Sequence, residues 1–246
     1  LGPDVEHAID QRRDEFLKPM GPTEALARFA VEMDGGSLPA PVARAARRAI
    51  LDCLGVALAG SREPAAQILA AQVLSQGGLA ESTLWGAGGA RTSAQHAALA
   101  NGTAAHALDY DDYILSMPGH PSVPVLPAAV AVGERLGASG ADVLAAFVVG
   151  FEAEAKLGAF SGQEAFDVGW HPTSTLGVIG ATAAVGRLLG LDVPKMRSAL
   201  GLAVSMAGGV RQNFGSMAKP FHVGRAAQAA ILAVELAQRG FTASPG

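Results

Sequence analysis

The chain has 246 residues, half of them hydrophobic and 16% charged, with 31 Gly, 14 Pro, only 9 Phe, 2 Tyr and 2 Trp, and Ala at roughly a fifth of positions. Too few β-branched and aromatic residues exclude an all-β sandwich or barrel, and too little charge excludes disorder, which leaves a helix-rich globular protein. A net charge of −4 offers no basic surface to a nucleic-acid backbone, and the single cysteine, Cys53, excludes an internal disulfide or a multi-thiolate metal site.

A polar N-terminal arm over residues 1–21 has no basic segment leading into an apolar one, so no signal peptide is expected. Nine segments of helical periodicity follow, separated by Gly and Pro. Thr23–Met33 is the first, with Thr23 and Glu24 as its cap. Ala40–Ala59 follows Pro39 and repeats Val42, Ala46, Ile50, Leu54 and Val56 at helical spacing. Cys53 lies on that apolar face, which favours a buried structural thiol over a nucleophile. Pro64–Leu74 is next, and Gly77–Gly89 reads as a loop or short extended segment.

Thr92 to Tyr113 reads as an Ala-rich helix ending in acid, followed by Val123–Leu136, Ala141–Leu157, Thr175–Leu189, Lys195–Met206 and Val223–Arg239. Residues 22–246 are therefore expected to form one all-α domain of stacked helical hairpins packed through Ala and Gly. The nearly uncharged stretch Tyr113–Gly133 is broken by Pro118, Pro121, Pro124 and Pro127, so it is not a membrane span. A cytoplasmic protein that binds neither membrane nor nucleic acid is the expectation.

Two constellations could carry chemistry. The first is His106 followed by Asp109-Tyr110-Asp111-Asp112-Tyr113. Carboxylates crowded near a helix C-terminus repel one another and oppose the helix dipole. The run is thus a solvated helix end, a His/carboxylate metal site with His120, or a general acid/base with a raised pKa. The second is a cation-capable residue directly before proline, three times over: His120-Pro121-Ser122, His171-Pro172-Thr173 and Lys219-Pro220-Phe221-His222. X-Pro holds the preceding residue extended and proline favours the first helical turn, so each side chain would sit near a helix N-terminus. These are either plain helix starts or, if the loops converge, a pocket for a polycarboxylate or phosphate. Dinucleotide, phosphate-loop, zincin and serine-hydrolase motifs are absent from the sequence.

These residues, with the runs Ala49–Gly60, Ala98–Asp112 and Asn213–Ala227, make the chain from about Thr23 to Ser244 resemble the MmgE/PrpD family. Its members include 2-methylcitrate dehydratase, cis-aconitate decarboxylase and iminodisuccinate epimerase. The resemblance implies an active-site aspartate at Asp109, with His120, His171 and Lys219 as its catalytic partners. It further implies substrate contacts from Tyr113, Ser122, Arg211 and His222. The loop from Asp109 to His120 is one residue longer than in the decarboxylase. No metal or organic cofactor is expected; a small carboxylate substrate and a homodimer are. In the family an α+β lid domain follows the segment matching Gly240–Pro245, so this chain is expected to be the helical domain alone.

The implied function is a lyase that dehydrates, decarboxylates or epimerises a small di- or tricarboxylate without a cofactor. All three reactions build negative charge beside carboxylates, so they need cations and an acid/base pair. His120, His171 and Lys219 would neutralise the carboxylates, and a histidine paired with Asp109 would move the proton. The alternatives are a lid-less binding or dimeric scaffold protein, and an isomerase or cyclase with an open pocket.

Overall fold

The computed structural model describes residues 21–244, and apart from Gly21 the polar arm lies outside them. The protein is all-α. Its helices are α1 (Pro22–Glu32), α2 (Ala40–Gly60), α3 (Pro64–Ser75), α4 (Ala94–His106), α5 (Ser122–Leu136), α6 (Gly140–Asp167), α7 (Pro172–Thr175), α8 (Gly177–Leu188), α9 (Val193–Met206) and α10 (Ala218–Gln238). The Gly-rich stretch supplies β1 (Ser82–Thr83), paired antiparallel with β2 (Arg91–Thr92). This small hairpin is tied to α5, where the Ala131 carbonyl accepts the Ser82 hydroxyl proton. No described helix is long and apolar enough to cross a membrane.

Several boundaries differ from the sequence expectation, each for a local reason. Gly21, not Thr23, is the N-cap of α1, because Pro22 already occupies the first helical position. α4 stops at His106, so Asp109–Tyr113 form a loop and not a helix end. Asp109 has φ +54°, the sole left-handed non-glycine residue among those described, and that backbone turns the chain out of the helix. α6 starts on a Ser139/Asp142 capping box and runs ten residues beyond Leu157, to Asp167. α10 begins at Ala218, which puts Lys219 and Pro220 inside its first turn, where proline's missing N–H costs nothing.

The core is built on close helix approach. α4 is enclosed by α2, α3, α5 and α10, and α8 by α5, α6, α9 and α10. α4 and α10 run antiparallel: Gln95 bonds Glu235 at one end, and Gly102 faces Gly224 near the other. A Cβ on Gly102 would lie 2.9 Å from the Gly224 Cα. That contact brings the C-terminus of α4, with His106, beside the N-terminus of α10, with Lys219.

The loop over residues 107–121 covers this end of the pair. Met117, fully buried, is its anchor against α6. A Cβ on Gly158 would lie 2.5 Å from the Met117 Cβ, and one on Gly162 3.0 Å from the Met117 carbonyl, so only glycine lets the loop settle there. His120 N–H donates to Thr173 Oγ1 at 3.1 Å, fixing the far end of the loop to α7.

Candidate active site

Asp111 is the buried centre of the site. Its carboxylate accepts from His106 Nδ1 at 2.9 Å and from His120 Nδ1 at 3.1 Å. Burial opposes its charge, but the bonds and charges of His106 and His120 outweigh it and hold the carboxyl well below the usual range. The sequence pattern paired a histidine with Asp109; in the fold the closer histidine contacts fall on Asp111, with Asp109 3.5 Å from His120 Nε2. The signal available was His106, five residues upstream, since a loop leaving a helix can fold back over its last turn.

Asp109 is half-exposed and pairs differently. Lys219 Nζ donates to its Oδ1, and His120 Nε2 lies 3.5 Å from the same oxygen. Burial raises its pKa less than Lys219, followed by His106 and His120, lowers it. His120 therefore lies between two carboxylates, with Nδ1 on Asp111 and Nε2 toward Asp109. Burial disfavours the imidazolium, yet Asp111 and then Asp109 outweigh it and raise the pKa. Lys219 and His120, both expected to await a substrate carboxylate, are already neutralised by the protein's own.

His171 departs from the cationic role expected of it. It caps α7, is buried, and stacks on His106 with ring centroids 5.6 Å apart. Burial first, then repulsion from His106, His222, Lys219 and His120, pushes its pKa down to about 2, so it is neutral. His222 reaches it from the second turn of α10, with Nδ1 to Nδ1 at 3.3 Å, and is itself lowered by burial and by His106.

The Ser122 hydroxyl donates to Asp112 at 2.6 Å, which fixes the start of α5, and burial raises the Asp112 pKa. Tyr113 is exposed and meets the His120 ring edge-on at 5.4 Å. The Arg211 guanidinium lies 3.8 Å above the Phe166 ring and donates to the Phe166 carbonyl at 2.7 Å. It braces the end of α6 and does not join the histidine cluster. Cys53 is fully buried and its thiol pKa is raised by burial, as a structural thiol requires.

A cavity of about 430 Å³ opens on the site, lined by Glu63, His106, Asp109, Ser216, Met217 and Lys219. A larger cleft, about 820 Å³, lies between Asp34, Asp142 and Arg187 and contains none of the acid/base residues. One ligand atom from each of His106, Asp109, Asp111 and His120 falls within 4.8 Å of the others, a spacing that could hold a metal ion. As arranged, both imidazole Nδ1 atoms direct their protons to Asp111, and Lys219 occupies Asp109.

These shifts set a pH dependence of stability. In the unfolded chain His171 takes up a proton near 6.5, whereas in the fold it does so only near 2, so acidification through that window favours unfolding. His222 acts in the same direction. His120 acts in the opposite one: its contribution is complete below 6.5 and is lost as pH rises through its raised folded value. Below 3.8 the depressed Asp111 adds its own loss. The midpoint of thermal unfolding should fall between about pH 6.5 and 4.5, and His171→Gln should flatten that slope, both measurable by circular dichroism.

A model of the MmgE/PrpD N-terminal domain matches residues 24–246. The cis-aconitate decarboxylase of Homo sapiens is 37% identical over 224 residues, which are 89% of this chain and 46% of that protein. That of Aspergillus terreus is 31% identical over 233 residues, 92% of this chain and 47% of that protein. The chain spans about half the length of the curated relatives it matches.

Proposed function

The chain belongs to the MmgE/PrpD family, and from that premise we propose that it carries the acid/base and carboxylate-binding centre of a lyase for a small di- or tricarboxylate, with decarboxylation of cis-aconitate the first reaction to test. The observation that supports this reading is the convergence of His106, Asp109, Asp111, His120, His171 and Lys219 from α4, α7, α10 and the 107–121 loop.

The chemistry follows from the charge pattern. A substrate carboxylate takes the place of Asp109 on Lys219 and His120, exchanging one anion for another without leaving a cation unpaired. In decarboxylation of an unsaturated tricarboxylate, the bond to the departing carboxylate breaks and releases CO₂. Its electron pair shifts through the adjacent double bond, and the far carbon takes a proton. His120, whose pKa Asp111 raises, is the proton donor in its imidazolium form and is recharged from solvent. Neutral His171 binds the oxygen on which negative charge builds. In dehydration and epimerisation a proton is removed in place of CO₂ loss: neutral His120 takes it and, as imidazolium, gives a proton to the departing hydroxide or back to the substrate carbon, with the same cations holding the carboxylates.

The experiment is to incubate the intact gene product with cis-aconitate, 2-methylcitrate and citrate separately. CO₂ release is followed for the first and alkene absorbance for the others. Turnover of at least one, lost in His120→Gln, is the expected result. No turnover of any carboxylate by a folded protein would overturn the proposal in favour of a binding or scaffold role.

A further inference from the structure

Among the described residues, His171 and His222 present the same nitrogen, Nδ1, to each other at 3.3 Å. Both rings are neutral, because neither has a carboxylate partner and the groups around them are imidazoles and an ammonium. Two neutral imidazoles can share a hydrogen bond through Nδ1 only if one carries its proton there and the other does not. The two rings must therefore hold opposite tautomers.

The choice between them is made one residue further out. Asn213, at the end of the 3-10 turn Arg211–Asn213, places its amide Nδ2 3.5 Å from His222 Nε2. An amide nitrogen can only donate, so His222 Nε2 is bare and its proton is on Nδ1. That proton points at His171 Nδ1, which is bare in turn and leaves its own proton on Nε2. Other contacts hold the relay in place. Gly209, at φ +110°, lets its backbone run against the His222 ring, where a Cβ would come within 3.1 Å, and its carbonyl accepts from His171 N–H at 3.0 Å. Ser174 Oγ donates to the His222 carbonyl at 3.0 Å, and the edge of Phe214 closes on His171 with centroids 4.8 Å apart.

We infer that Asn213 and His222 are positioning residues that lock His171 in the Nε2–H tautomer, so that it serves the reaction as a neutral hydrogen-bond donor and not as a base. The first half of this inference concerns the resting protein alone. The second rests on the lyase reading above. Among the described residues Nε2 of His171 makes no hydrogen bond, and its ring stacks on His106, which lines the cavity of about 430 Å³. Under the lyase reading a substrate oxygen meets that N–H. A neutral donor suits that task, since it stabilises developing charge without holding a ground-state carboxylate as tightly as a cation would.

Histidine-selective ¹⁵N labelling of the intact gene product tests the tautomers directly, because a bare ring nitrogen resonates far downfield of one bearing hydrogen. With signals assigned by their loss in His171→Gln and His222→Gln, the wild type should show His171 protonated at Nε2 and His222 at Nδ1. In Asn213→Asp the carboxylate accepts from His222 Nε2–H, and both rings should switch. Under the lyase reading the switch lowers kcat/KM by about 100-fold, mostly in kcat, and Asn213→Gln restores part of it. If wild-type His171 carries its proton on Nδ1, the inference is overturned whatever the enzyme does. If the tautomers are as inferred but no carboxylate is turned over, the lyase reading fails and the relay stands.

Discussion

Asp111→Asn is expected to lower kcat/KM by about 10²–10⁴-fold while the chain stays folded. The carboxylate is buried and accepts Nδ1–H from both His106 and His120. Both imidazoles meet the same oxygen, Oδ2, and His106 Nδ1 also lies 3.1 Å from Oδ1. With an amide of the same shape, the NH₂ group at the Oδ1 position would face the His106 N–H, and the negative charge that both rings share is gone. The His106 ring must then turn or give up its Nδ1 proton, and its tautomer is no longer fixed. His120 also loses the carboxylate that most raises its pKa, so the alkaline limb of the pH–rate profile should move to lower pH. Asp109→Asn makes the informative comparison. Asp109 is more than half exposed as a side chain and touches His120 only through Nε2 at 3.5 Å, so its loss should free Lys219 and weaken substrate exchange more than it disturbs His120. Near-normal activity in Asp111→Asn with an unmoved pH profile would return the role of the histidine's carboxylate partner to Asp109. Steady-state kinetics on both variants, with circular dichroism as the check on folding, decides between them.

Gly224→Ala is expected to cost about 3 kcal/mol, the upper end of what overpacking a core does. A Cβ at this position would fall inside van der Waals contact of the Leu99 carbonyl oxygen and the Thr103 hydroxyl, and 3.0 Å from the Thr103 amide nitrogen. All but one of these atoms belong to the α4 backbone, which cannot turn aside as a flexible side chain could. The added methyl therefore has to push α4 and α10 apart. Those two helices bring His106 and Lys219 to the site, so activity should fall with stability. Gly55→Ala is the control: it is exposed on α2 with nothing within 4 Å of its would-be Cβ. There helix propensity alone should make the change neutral or stabilising by up to about 1 kcal/mol. Urea unfolding of both variants separates the effects, with the midpoint falling for Gly224→Ala at an unchanged slope. Equal midpoints would mean that the α4–α10 crossing has room the glycines do not need.

The helical class was legible because its cause is local. Ala-rich segments with period-3.6 apolar faces, interrupted by Gly and Pro, leave few alternatives, and the expected helices from Thr23–Met33 to Val223–Arg239 all have counterparts. The boundaries were less so. α6 continues through Ser161 and Gly162, residues of modest helix propensity, because its Gly158 and Gly162 receive the buried Met117 loop. The same holds for the acidic run, where periodicity gave no sign that α4 would stop at His106 and the left-handed Asp109 would fold the loop back.

The sequence by itself determined the fold class, the family and the short set of residues from which a site could be made. X-Pro dipeptides at helix starts and crowded aspartates are contiguous patterns, readable from bond geometry and charge alone. Only the tertiary structure decided what each residue is. It made Asp111 the buried partner of two histidines and joined Lys219 to Asp109 across 110 positions of sequence. It also turned Arg211 onto Phe166 and left His171 neutral. The physical reason is that a proton's position depends on burial and on charges a few ångströms away. Those neighbours are chosen by the path of the 107–121 loop and the crossing of α4 with α10, not by adjacency along the chain.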